Sequence, residues 1–86
     1  MLTTEAQILN YAEQNIDSIL DRAIIYNRTP AEIANITNVY DLAHLFEDEV
    51  IYDLILSYGH DVNSVRELAG YISEIVSSDD YEVIED

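Results

Sequence analysis

There is no cysteine in this 86-residue chain, no lysine, no tryptophan, a single proline and only two glycines. Without cysteine there is no disulfide framework, no thiol nucleophile and no thiolate metal site, so a reducing compartment, the cytoplasm, is the expected setting. Without lysine, Arg22, Arg28 and Arg66 are the whole cationic complement. Nucleic acids and anionic lipid surfaces are bound by exchanging their counterions for Lys and Arg, so neither is an expected ligand. Met1 to Gln7 carry neither the positive segment nor the continuous apolar run of a secretory signal. No stretch approaches the roughly 18 uncharged apolar residues that a membrane span needs, so neither export by that route nor membrane insertion is expected. The scarcity of glycine and proline also removes most hairpin signals.

What is present is core-forming material under a heavy negative charge. Hydrophobic residues make up 49% of the chain, which separates it from a disordered acidic tail. Eighteen acidic residues face three arginines, for a formal charge of -15. Small domains usually carry a net charge of magnitude about 2 to 8. Self-repulsion on this scale opposes compaction, so a functional reason for it is expected.

The apolar residues recur at spacings of three and four, which predicts helices throughout. A first helix opens at Thr3 or Thr4, lines Ile8, Ala12, Ile16, Ile19, Leu20, Ala23 and Ile24 on one stripe, and ends near Asn27. Thr29-Pro30-Ala31-Glu32 reads as a capping box with proline in the first turn of a short helix reaching Ile36. A third stretch, Val39 to Tyr58, stops at Gly59. On one straight helix Asp53 would fall on the apolar stripe; a kink near Glu47-Asp48 instead groups Val50, Ile51, Leu54, Ile55 and Tyr58 inside and leaves Glu49 and Asp53 outside. A fourth helix, capped by Asp61 or Asn63, carries Val65, Leu68, Ala69, Ile72, Ile75 and Val76 to Ser77-Ser78, with Gly70 read as a point of close helix packing. The tail, Asp79 to Asp86, is expected to fray or to dock as a short extended segment. The expected fold is all-α: residues 1–86 as one domain, an antiparallel bundle of about four helices.

The chemistry lies in the acids. Residues four apart on a helix are about 6 Å apart along its axis, so Glu13, Asp17 and Asp21 form one row and Glu49 and Asp53 another, joined by Asp41, Glu47 and Asp48, with Asp79, Asp80 and Glu82 in the tail. Like charges at that spacing repel by a few tenths of a kcal/mol per pair. Phosphates of a duplex recur every few ångströms along each strand, so such rows can present a comparable field to a protein built to grip DNA. Seven tyrosines against one phenylalanine add half-polar side chains, with Tyr11, Tyr52 and Tyr81 expected to look outward, either in an interface or at the rim of the core. Leu56, beside Tyr52, would mark a homodimer patch. The plainer reading of the acids is a solvated face.

Other constellations are weak. His44 and His60 stand far apart, with no three-ligand spacing and no nucleophile–base pattern, so neither a metal, a cofactor nor catalysis is expected. The tail lacks the glycine and spacing of a calcium loop. Thr29 to Phe46 has a helix-turn-helix rhythm, but a recognition helix bearing Asp41, Glu47 and Asp48 would be repelled by phosphate.

By its length, its lack of lysine and its acidic rows, the chain resembles, as a class, the small acidic DNA-mimic proteins that phages and mobile elements use against restriction enzymes and CRISPR nucleases. These share charge rather than motifs, so no family residue transfers. The resemblance implies a non-enzymatic inhibitor in a host cytoplasm that occupies the basic surface of a nucleic-acid-binding protein. The helical immunity proteins of DNase colicins are similar in size and charge, although their characteristic loop sequence is missing. The alternative is an acidic helical adaptor or subunit for a basic protein unrelated to nucleic acid. Asp17-Ser18-Ile19-Leu20 is also similar to the attachment sequence of acyl carrier proteins, which would place a prosthetic arm on Ser18. In that family the serine opens the second helix after a long loop, whereas Ser18 is expected inside the first helix.

Overall fold

A computed structural model describes the backbone of residues 3–85 and the side chains of residues 3–77. Among the described residues there are five α-helices and one 3-10 helix and no strand, so the chain is all-α. The helices are α1 (Thr4–Gln14), α2 (Ile16–Ile25), α3 (Val39–Ala43), α4 (Glu49–Tyr58) and α5 (Val62–Glu85), with the 3-10 helix Ala31–Asn35 between α2 and α3.

The expected first helix is two helices. Thr3 Oγ1 accepts from the Ala6 amide at 3.1 Å, as its N-cap role requires. At Asn15 the backbone leaves helical geometry (φ -131°, ψ 39°), and the Asn15 carboxamide donates to the Tyr11 carbonyl at 2.9 Å. Asparagine can satisfy a terminal carbonyl with its own side chain and so makes a helix end cheap where periodicity alone sees none. The break lets Ile8 and Ala12 of α1, and Ile19 and Ala23 of α2, all reach the core. It leaves Ile24, expected inside, 70% exposed. Helix α2 ends as expected near Asn27. That residue takes the left-handed conformation (φ 59°), and the Arg28 and Asn27 amides donate to the carbonyls of Ala23 and Ile24.

The capping box is present in both directions: Thr29 Oγ1 accepts from the Glu32 amide at 3.3 Å, and Glu32 Oε1 accepts from the Thr29 amide at 2.8 Å. The turn it starts is 3-10 rather than α. Ile33 and Ile36 are three apart and both buried, and three residues per turn is the period that aligns them. Ser73 Oγ of α5 donates to the Pro30 carbonyl at 2.8 Å, tying this segment to the long helix.

The expected third helix is also divided. Asn38 caps the five-residue α3, and Asp48 Oδ1 caps α4 by accepting from the Val50 and Ile51 amides at 2.8 and 3.2 Å. The break falls at the Glu47-Asp48 position where a kink was expected, and Glu49 and Asp53 are exposed as that reasoning required. Val50 is a correction: with the chain restarting at Asp48, Ile51 and Ile55 turn inward and Val50 is 66% exposed. A five-residue α3 also disposes of the helix-turn-helix rhythm, which needs a recognition helix long enough to fill a groove.

Helix α5 is the spine of the molecule, packing on the 3-10 helix, α1, α2 and α3 through Val65, Leu68, Ala69, Ile72 and Val76. Asp61 caps it, accepting from the Ser64 amide at 2.8 Å. Its backbone continues helically to Glu85, past the expected stop at Ser77-Ser78, where no proline or glycine interrupts it.

Gly59 ends α4 as expected, its amide donating to the Ile55 carbonyl, but the close packing expected at Gly70 is found at Gly59 instead. Gly70 has open space where a side chain would stand, so it does not mark close helix packing. Gly59 does: a Cβ there would lie 2.6 Å from Val39 Cγ2 and 2.9 Å from Val65 Cγ2. Gly59→Ala should therefore cost about 1–3 kcal/mol through overpacking, while Gly70→Ala should gain up to about 1 kcal/mol from helix propensity. Urea titrations of the two variants, followed by circular dichroism, check the opposite signs.

Candidate acidic interface

Asp17 and Asp21 stand one turn apart on α2, and Glu49 and Asp53 one turn apart on α4; all four are exposed. None has a hydrogen bond or ion pair among the described residues. Glu13 belongs to the last turn of α1, so the predicted row of three runs across the Asn15 break. It remains near Asp17, because both line one open depression with Gln14, Asn15, Ile16 and Ser18. Ser18 sits in the first turn of α2 and not inside the first helix as expected, but Asn15 alone separates α1 from α2 where a carrier protein has a long loop.

Two predicted members of the array are neutralised. Arg28 Nη2 lies 3.6 Å from Asp41 Oδ2, and Arg22 Nη1 lies 3.8 Å from Glu47 Oε1. Asp41 and Glu47 are exposed but paired, which corrects their reading as free anions. Sequence spacing gives no sign of these pairs, since 13 and 25 residues separate the partners; the fold brings them together. Such part-exposed pairs contribute at most about 1 kcal/mol each to stability. Arg22 does more, since its Nε also donates to the His44 carbonyl at 2.6 Å and fastens α2 to the α3–α4 turn.

Asp48 is held by its capping bonds, through one oxygen only. It lies against Tyr11, whose phenol is pushed up by burial and by the neighbouring carboxylates of Asp48 and Glu47. Tyr11 itself is half-buried against Phe46, with ring centroids 5.7 Å apart, and does not look outward as expected. Tyr52 and Leu56 are half-buried against the core too. Asp79, Asp80 and Glu82 of the predicted array, and Tyr81, lie outside the described side chains.

Between α2 and α4 runs a line of rings. Tyr26 of the α2 end is 6.0 Å from His44, and His44 is 5.6 Å edge-on from Tyr52 of α4. Tyr52 is flanked on its own helix by Glu49, three residues before it, and by Asp53, while Tyr26 follows Asp21 by five residues. These ring contacts join the end of α2 to α4 through His44. Sequence reasoning missed the exposed apolar residues beside it: Ile24, Ile25, Tyr26 and Tyr40 are all surface residues. Three consecutive large apolar residues at a helix end cannot share one stripe, and that was the available signal.

On the other side of α4, the Tyr58 hydroxyl donates to Glu5 Oε2 at 2.7 Å, linking α4 to α1. This bond, burial and the nearby Glu5 and Glu67 carboxylates push the Tyr58 phenol up to about 12. A neutral phenol favoured by the fold gives stability that is complete below the ordinary tyrosine value near 10 and is lost as pH rises towards 12. Absorbance titration at about 295 nm should show a tyrosine component ionising well above the ordinary value near 10, and Tyr58→Phe should remove it.

No helix is long and apolar enough to cross a membrane among the described residues, and no three metal-ligating side chains come together there. His60 pairs with Asp61 at 3.2 Å. No protein-family model, curated protein or solved structure matches this chain.

Proposed function

We propose that this protein is a non-enzymatic inhibitor that binds the basic, DNA-gripping surface of a nucleic-acid-binding protein, with helix-borne carboxylates taking the place of phosphates. The observation that carries the reading is the set Asp17, Asp21, Glu49 and Asp53: exposed, on helices, and with no side-chain partner among the described residues. Only the rigid backbone holds these charges at their spacing, so a cationic cleft can use them without first breaking internal pairs. Glu13 and Asp48 extend the same field. Asp41 and Glu47 are spent on arginine and contribute less. The membrane and nucleic acid themselves are poor partners, because only Arg66 of the three cations has no ion pair among the described residues.

Affinity capture at low salt followed by competition tests the reading. A captured nuclease or other DNA-binding protein should be released by duplex DNA, and its DNA binding should be blocked stoichiometrically by the purified chain. Capture of a protein that binds both the chain and DNA at once would contradict it.

The exposed Ile24, Ile25, Tyr26 and Tyr40 favour a second reading, an acidic adaptor that docks a basic partner by apolar contact and uses charge for steering. Asp17→Lys with Asp21→Lys would then leave binding intact while Tyr26→Ala removes it.

A further inference from the structure

The arginines are not spread over the acidic surface: two of the three converge on one place. Arg22 binds the His44 carbonyl and approaches Glu47, and Arg28 pairs with Asp41. Between these pairs lies a small pocket lined by Tyr26, Arg28, Asp41 and His44. Ile25 and Tyr40, the sequence neighbours of the lining residues Tyr26 and Asp41, are 69% and 56% exposed, and the His44 ring contacts Tyr52. The local sum of Asp41, Glu47, Arg22 and Arg28 is zero in a molecule whose total is -15. A charge-balanced pocket with two aromatic rings in its wall and an exposed isoleucine next in sequence, in a strongly acidic molecule, has the anatomy of an interface core.

We infer that the Tyr26–Arg28–Asp41–His44 pocket, with Ile25 and Tyr40, is the apolar anchor point of the partner interface and receives one large apolar or aromatic side chain from a basic protein surface. The inference rests on the proposed reading of a basic protein partner and deepens it by naming the central contact. Charge selects the occupant. A second copy would bring another -15 against the same face, whereas a cationic surface is drawn in by the negative field of the whole molecule. The internal pairs hold Asp41 and Glu47 in place, so the anchor side chain meets a wall that needs no counter-ion.

The test uses two lysine-rich peptides identical except for a central Trp or Ser, titrated into the full-length ¹⁵N-labelled chain. The Trp peptide is expected to bind about tenfold more tightly, the return for burying one large apolar side chain. Its amide shifts should concentrate on residues 24–28, 40–44 and 52. Ile25→Ala with Tyr26→Ala, both on exposed side chains and checked for folding by circular dichroism, should bring the Trp peptide down to the affinity of the Ser peptide. Equal affinities, or Trp-dependent shifts elsewhere, overturn the anchor while leaving the electrostatic reading in place. If neither peptide binds at low salt, the basic-partner reading fails and the anchor with it. Self-association of the chain through these residues, seen as a rising sedimentation coefficient that Tyr26→Ala abolishes, would also overturn it.

Discussion

Replacing Asp17, Asp21 and Asp53 by Asn and Glu49 by Gln together should weaken partner binding about a hundredfold or more at low salt, while making the protein itself more stable. The loss follows from removing four steering and contact charges at once from the face that meets the basic surface. The gain follows from their lack of internal partners. Each row holds two carboxylates one turn apart, repelling by a few tenths of a kcal/mol, and the global field adds to this. Asp17 and Glu49 lie in the first turns of α2 and α4, where the helix dipole favours a carboxylate by about 0.3–1 kcal/mol. Relief of the pair repulsion and of the global field outweighs this only slightly, so a net gain of a few tenths of a kcal/mol is expected at low ionic strength. The gain should shrink in salt, since screening already removes the repulsion in the parent chain. Differential scanning calorimetry and binding measured on the same four-site variant check both halves. A variant that loses binding and stability together would mean that these carboxylates serve the fold.

The largest stability effect is expected at the spine. Leu68 is fully buried in α5, and Leu68→Ala should cost about 3 kcal/mol in lost burial and residual cavity. Domains of this length carry roughly 4–13 kcal/mol, and self-repulsion places this one towards the lower end. The substitution should therefore lower Tm by about 15 °C and leave a visible unfolded fraction at low salt. Chemical denaturation in low and high salt measures it; a cost below about 1 kcal/mol would show that α5 does not organise the core as described.

Helical class and most of the core could be read from the sequence because burial follows a short period: Ile8, Ala12, Ile19, Ala23, Val65, Leu68 and Ile72 all face inward as their spacing predicts. The caps were legible for the same reason, since Thr3, Thr29 with Glu32, and Asp61 act within three residues of themselves. Helix breaks were harder. At Asn15 no proline or glycine announces the end, and the carboxamide bond to Tyr11 that supports it is one of several options an asparagine has. The 3-10 turn depended on Ile33 and Ile36 both finding the same cavity beside α5, a tertiary fact.

The candidate site was legible as a charge imbalance and illegible as an arrangement. Spacing along one helix gave Asp17 with Asp21 and Glu49 with Asp53, and these four are among the acids without a side-chain partner among the described residues. It could not show that Arg22 and Arg28 cross to Glu47 and Asp41, because those contacts depend on how α2 meets the α3–α4 turn. Nor could it show Tyr26, His44 and Tyr52 meeting from three different segments.

The most direct measurement is the dissociation constant for the captured partner as a function of sodium chloride, with and without duplex DNA. Charge-for-phosphate substitution predicts that Kd rises about a hundredfold between roughly 50 and 500 mM salt, and that DNA competes for a single shared surface. A Kd indifferent to salt, or a ternary complex with DNA bound alongside the chain, would contradict it.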